Sequence, residues 1–126
     1  MSDILNEVCH INNKNEVIMN YIYFKQIAVN ELYDIIIEHI VKIIQQCLST
    51  IDLINVHIYL NLFTLTEFEK HLQFISKISK ILTANFPDKL ETCFIHNPPF
   101  FMSQVYNILF SFIDKKTQQK IKLVSF

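Results

Sequence analysis

The 126-residue chain contains no glycine, no tryptophan and no arginine, and only three prolines and three cysteines. Each absence removes a class of function. Without glycine there is no phosphate cradle of the P-loop or dinucleotide-binding type, because those turns need backbone free of a Cβ. Without arginine, an anion must be held by lysine point charges, hydroxyls and backbone N–H groups, and not by bidentate forks. Charge is scarce, at 18% of residues with a net value of −1, so the chain lacks the concentrated positive field that nucleic acid requires. An odd number of cysteines, behind a Met1-Ser2-Asp3 start with no secretory leader, leads us to expect reduced thiols and a cytoplasmic protein. Ile, Asn, Lys and Phe dominate instead; their AT-rich codons point to an AT-biased genome such as that of a large DNA virus or a protist.

What is present is apolar. Hydrophobic residues make up 51% of the chain and the mean hydropathy is +0.25. That is more apolar side chain than a single soluble domain of this size needs, which calls for an apolar ligand, a membrane surface or a second protein chain to absorb it. Between Glu91 and Asp114 no residue is formally charged. Two prolines and scattered Ser, Gln and Asn interrupt this run, and a helix from Pro99 to Ile113 would be about 22 Å long against a hydrocarbon core of roughly 30 Å, too short to span a membrane. Residues 1–63 carry seven acids against three lysines, residues 64–126 five acids against eight lysines, and Lys115, Lys116, Lys120 and Lys122 crowd near the C-terminus.

The hydrophobic period changes along the chain. Val8 to Ile11 and Glu16 to Phe24, separated by the polar run Asn12 to Asn15, read as two strands joined by a turn. From Asn30, a candidate N-cap, to Leu48 the residues Leu32, Ile36, Ile40, Ile43, Ile44 and Cys47 line one helical face. Asn55 to Phe63 is a nearly continuous apolar strand, of the kind covered on both faces. Thr64 with Glu67, or Thr66 with Glu69, forms a capping box for a helix to Asn85 with the stripe Phe68, Leu72, Ile75, Ile78 and Leu82. A strand from Leu90 to His96, a helix from Pro99 to Ile113 and a strand from Lys120 to Val124 complete a β-β-α-β-α-β-α-β order. This predicts one α/β domain, residues 1–126, with a mixed, largely parallel sheet against amphipathic helices. The helix from Pro99 to Ile113 is apolar on more than one side, which suits either a helix buried all round, or in a dimer, or a lipid gate.

Three spaced motifs carry a family resemblance. Phe86-Pro87-Asp88-Lys89-Leu90 ends a helix, Asn97-Pro98-Pro99-Phe100 follows a strand, and Phe112-Ile113-Asp114 leads through Thr117 to Lys120-Ile121. In this order the segment from Val56 to Val124 resembles the CRAL-TRIO lipid-binding family, which includes phosphatidylinositol and phosphatidylcholine transfer proteins and the tocopherol and retinaldehyde carriers. The resemblance implies an apolar pocket floored by the sheet under a movable gate helix, residues 99–113. It implies a phospholipid ligand, foremost a phosphoinositide, with Thr117, Lys120 and Asp88 at the head group. To these we add Lys116 as a neighbouring ammonium, and expect an unfinished helical turn near Asp114 to offer N–H groups. The plainer alternative makes Asp114 a cap and the lysines a solvated face. Pocket and gate are assigned to Phe100, Phe101, Met102, Val105, Tyr106, Leu109 and Phe112, with Tyr59 from the central strand. His57, Tyr59 and Asn61 share one strand face, and satisfied polar groups at the sheet boundary are the competing account of them.

The chain departs from the family pattern in several places. Asn61 and Thr64 stand where an acidic residue and a glycine are usual, so the turn at Thr64 must differ if φ > 0 was needed there. Phe110-Ser111 replaces Lys-Pro. Val56 and Ile58 replace the hydroxyl residues of choline-lipid binders, which disfavours phosphatidylcholine. Neither the family's closing strand nor its helical N-terminal extension is expected, so the pocket is predicted to be more open or completed by a homodimer. A transient membrane surface is the further expected partner and peripheral attachment the expected location. No enzyme is expected, and with it no cofactor and no metal: Cys93 and His96 are three apart on a strand and project to opposite faces, and no nucleophile, base and acid fall in a recognisable order. The rival class is a protein-interaction module using the same apolar surface.

Overall fold

In the computed structural model, which describes residues 1–124, the elements run α1 (Ser2–Val8), β1 (Cys9–Ile11), β2 (Val17–Asn20), α2 (Tyr21–Ile27), a 3-10 turn (Asn30–Leu32), α3 (Tyr33–Leu48), β3 (Ile54–Tyr59), α4 (Leu65–Lys70), α5 (Leu72–Asn85), β4 (Leu90–His96), α6 (Met102–Leu109), α7 (Lys115–Gln118) and β5 (Ile121–Val124). The strands form a five-stranded sheet in the order β1-β2-β3-β4-β5. β1 and β2 are an antiparallel hairpin and the other three pairings are parallel. The expected mixed, largely parallel α/β architecture is therefore the one observed.

The hairpin turn rests on Asn12, whose Oδ1 accepts from the N–H groups of Lys14 and Glu16, while Asn15 takes a left-handed φ of 61°. Asparagine tolerates that region better than most residues, which is why the polar run could close so tightly. Each parallel strand lies one place further along the sheet than the last, and right-handed crossovers in one direction set all the connecting helices on one face. Side chains of α3, α5 and α6 accordingly meet the same sheet face, formed by Val17, Met19, Val56, Ile58, Cys93 and Ile95. The core is this single layer, with Ile36, Phe68 and Val105 at or near complete burial.

Five sequence boundaries need correction. The strand expected over Asn55 to Phe63 runs from Ile54 only to Tyr59, so Asn61 lies in the loop beyond it. The strand expected to reach Phe24 stops at Asn20, and Tyr21–Ile27 is helical despite its β-favouring Tyr, Ile and Phe, because at helical spacing Tyr21 and Phe24 both enter the core. The helix expected from Thr64 to Asn85 breaks at His71, whose φ of −102° and ψ of 15° leave the α region. The helix expected over 99–113 is regular only from Met102 to Leu109. Asn30 starts a 3-10 turn and makes no side-chain cap. The N-terminal helix α1 is an addition that periodicity did not show.

Thr64 is the N-cap of α4, with φ −118°, and its hydroxyl accepts the Glu67 N–H at 3.1 Å. The left-handed residue of that loop is Leu62, at φ 64° and 70% exposed. A bulky apolar side chain held there costs about 1–2 kcal/mol, so the turn that a glycine would make at no cost is made here by a leucine aimed at solvent.

Candidate functional site

The sheet face, α5 and α6 enclose a cavity of about 570 Å³. Its floor is Ile54, Val56 and Ile58 of β3 with Cys93 and Ile95 of β4, and its walls are Ile75, Ile78 and Leu82 of α5 and Met102, Val105 and Leu109 of α6. The alternation of β3 decides what faces inward: with Val56 and Ile58 on the cavity side, His57 and Tyr59 must point to the other. There they join a row of half-buried rings, with His57 stacked on Phe94 at 4.8 Å, Tyr59 stacked on His96 at 4.2 Å, and His57 Nδ1 2.8 Å from His96 Nε2. Tyr59 is thus separated from the cavity by the sheet itself.

The cavity has two polar ends. At the starts of β3, β4 and β5 it is lined by Asp88, Lys89, Asp114, Thr117 and Lys120. Asp88 takes a left-handed φ of 58°, which an aspartate tolerates, and its carboxylate lies 3.6 Å from Lys116 Nζ. Both side chains are largely solvated, so this ion pair adds little stability. Asp114 caps α7, accepting the Thr117 N–H at 2.8 Å, and that hydrogen bond holds its carboxyl below the ordinary range, with Lys120 and Lys116 adding to the shift. The N–H groups at the start of α7 are thereby supplied with a carboxylate of the chain's own. Lys120 stands directly before β5 and is half-buried, with its backbone carbonyl accepting from Cys93 N–H at 2.8 Å.

At the opposite end, where the parallel strands finish, Tyr21, Phe24, Phe63, Phe68 and His71 line the cavity. His71 is 2% exposed, with Nδ1 2.7 Å from the Tyr33 hydroxyl and Nε2 3.2 Å from Glu67 Oε2. Burial holds its pKa below the ordinary value. The ring is neutral, with Nε2–H donating to Glu67 and Nδ1 accepting from Tyr33.

A profile of the CRAL/TRIO domain matches residues 4–126, nearly the whole chain. The chain belongs to the CRAL/TRIO family. Among solved structures it is similar to the crystal structure of Sfh5, with a TM-score of 0.80 at 13% identity, over 98% of this chain and 48% of that one. The chain therefore spans about half the length of that relative, and at this identity the likeness speaks for the fold. No curated protein sequence matches. CRAL/TRIO domains are lipid-binding domains, so this chain is not an enzyme and calls for no cofactor. All three thiols are buried, and burial pushes Cys9 and Cys93 up to about 12.

Within this CRAL/TRIO domain the residues singled out from the sequence separate into groups. Asp88, Thr117 and Lys120 come together at one mouth, with Lys116 beside it but outside the lining. Met102, Val105 and Leu109 face the cavity from α6. Phe101 is buried in the core beside Phe63, Tyr106 stacks on Phe110 at 4.9 Å, and Phe112 is half-buried outside the lining. Phe100 is wholly exposed. The α5 wall was visible in the sequence as the stripe Ile75, Ile78 and Leu82 but was not assigned to the pocket. Tyr21 and Phe24 were hidden by their reading as a strand.

Proposed function

We propose that the chain binds a phospholipid of the phosphoinositide class in this cavity and transfers it between membranes. The observation that carries the reading is an apolar cavity, in a CRAL/TRIO domain, whose mouth mixes two lysines, two aspartates and a threonine. Lys89 and Lys120 in the lining, with Lys116 beside it, face the carboxylates of Asp88 and Asp114. A head group with many phosphates would be repelled by the carboxylates, whereas one phosphodiester with a ring of hydroxyls uses both signs: ammonium and Thr117 hydroxyl for the phosphate, carboxylates as acceptors for the hydroxyls. Phosphatidylinositol has that chemistry. Residues 1–124 contain no helix long and apolar enough to cross a membrane. Loading would occur by transient docking on a membrane surface, with α6 as the lid that moves. Wholly exposed Phe100, next to a shallow groove lined by Ile22, Leu62 and Pro99, supplies an uncharged apolar contact for that docking.

The test is a transfer assay with delipidated protein and vesicles carrying labelled phosphatidylinositol. Lys120→Ala should weaken binding by about 1.5–3 kcal/mol, the range for a hydrogen bond to a charged group, and Thr117→Ala by less, with thermal unfolding unchanged. Wild-type protein that neither extracts nor moves the label refutes the reading.

A second reading, a homodimer or protein-interaction module, is favoured by one feature. Parallel sheets are ordinarily covered on both faces, and here the face carrying Ile18, His57, Tyr59, Phe94 and His96 is the one away from the crossover helices. We take residues 1–126 as one lipid-binding unit in which this face is the surface a second chain would use.

A further inference from the structure

The sheet face away from the cavity holds a histidine pair that the lipid reading does not use. The parallel register of β3 and β4 sets His57 opposite Phe94 and Tyr59 opposite His96, so the two imidazoles meet on the diagonal, with His57 Nδ1 2.8 Å from His96 Nε2. Stacking orients both rings. His57 lies against Phe94 at 4.8 Å and 14°, and His96 against Tyr59 at 4.2 Å and 8°. The far nitrogen of His57, Nε2, is shut off from water and lies 3.3 Å from Glu16 Oε1. Glu16 is held in turn. Asn12 Nδ2 donates to its Oε1 at 3.2 Å, and that hydrogen bond, with His57 adding to it, keeps the carboxyl below the ordinary range and ionised at neutral pH. A carboxylate facing Nε2 of a neutral imidazole selects the tautomer protonated there, which leaves Nδ1 a lone pair aimed at His96.

We propose that His57 Nδ1 and His96 Nε2 bind a borderline divalent transition-metal ion of the Zn²⁺ type, with Glu16 orienting His57 from behind. The ion takes the place of the single proton between the two nitrogens; that proton moves to His96 Nδ1, and nothing is oxidised or reduced. Imidazole pairs suit such ions, whereas Mg²⁺ and Ca²⁺ require oxygen ligands. A carboxylate on the far nitrogen is how a ligating histidine is ordinarily held. Metal–nitrogen bonds of about 2.0–2.1 Å at a tetrahedral angle set the two nitrogens about 3.3 Å apart, so the pair opens by roughly half an ångström, which a small tilt of the stacked rings supplies. Among the described residues no group of three His, Cys, Asp or Glu is placed to hold a metal, so water completes the coordination and the site is open. His10, on the same face, is two strands away, roughly 10 Å, and its Nδ1 lies 2.8 Å from the Asn6 carbonyl. The sequence argument against a metal weighed His96 with Cys93, whereas the fold gives His96 a partner 39 residues away. Since the sheet separates this pair from the cavity, the site does not rest on the lipid reading.

The experiment is equilibrium dialysis of the purified protein against Zn²⁺ alone, with Mg²⁺ as the control ion and thermal unfolding alongside. Wild type should take up one Zn²⁺ per chain at micromolar free ion, take up no Mg²⁺, and melt at a higher temperature when Zn²⁺ is present. His57→Phe and His96→Phe keep a ring in each stack and should lose both the uptake and the rise in melting temperature. Glu16→Gln should weaken uptake by about 10–100-fold, the range for a carboxylate behind a ligating histidine. Imidazole nitrogen NMR of wild type locates the ion directly: Zn²⁺ should shift His57 Nδ1 and His96 Nε2 and leave His39 and His71 unmoved. No uptake by wild type below millimolar Zn²⁺, equal uptake of Mg²⁺, uptake that survives in both phenylalanine variants, or shifts confined to other histidines would each overturn the proposal. The NMR result decides it even where a variant fails to fold.

Discussion

His71 stands at the break between α4 and α5 with its ring in the core and both nitrogens engaged. Removing it would leave the Tyr33 hydroxyl and the Glu67 carboxylate short of a partner, and that cost sets its worth. His71→Leu should lower stability by about 1–3 kcal/mol at pH 7.5, measured by denaturant unfolding. Its titration adds a pH dependence of fixed sign. Burial lowers the folded pKa below the unfolded value near 6.5, so the unfolded state binds more protons through the window just below that value. His96 is lowered in the same direction, by burial first and by His57 second. Stability should be full above about pH 7 and fall as pH drops below about 6.5, and His71→Leu should show a shallower fall between pH 7 and 5.5. An equal slope in wild type and variant would remove His71 from that account. Glu67 explains why the capping box is only half made: Thr64 accepts its N–H, but its side chain turns to His71 instead of back to the cap.

At the scale of the element, α6 decides how a helix apolar on several sides is used. Met102, Val105 and Leu109 cover the cavity, Phe101 before the helix enters the core, and Tyr106, itself packed against the core, stacks on Phe110. Phe100, immediately before the helix and edge-on to Phe101 at 5.4 Å, is wholly exposed. Phe100→Ser should therefore leave the unfolding free energy within about 0.5 kcal/mol of wild type, as surface substitutions do. Co-sedimentation with phosphatidylinositol-containing vesicles should fall severalfold. Retained sedimentation would move the membrane contact elsewhere, and a collapsed melting temperature would show that this side chain is covered in the folded protein.

For the whole molecule, the decisive measurement is mass. Native mass spectrometry of the protein as purified should show one chain carrying one phospholipid; a lipid-free dimer would favour the ring-lined sheet face as the functional surface. Much of this architecture was legible beforehand. β4 was bounded correctly at Leu90 and His96, α3 and the α5 stripe followed from their 3.6-residue period, and Thr64 was correctly one of two candidate caps, because these features depend on local spacing alone. Spaced motifs were enough for the CRAL/TRIO assignment. Which face of β3 meets the cavity was not legible, since a two-residue period separates Val56 and Ile58 from His57 and Tyr59 without saying which pair turns inward. The helical state of Tyr21 to Ile27 and the break at His71 were settled by contacts with residues distant in sequence, Phe63 for Tyr21 and Tyr33 for His71. Sequence alone determined the family, the element order of the C-terminal half and the charge-poor, glycine-free chemistry; tertiary structure decided which side chains share the cavity, because that depends on the direction in which the crossovers stack the helices.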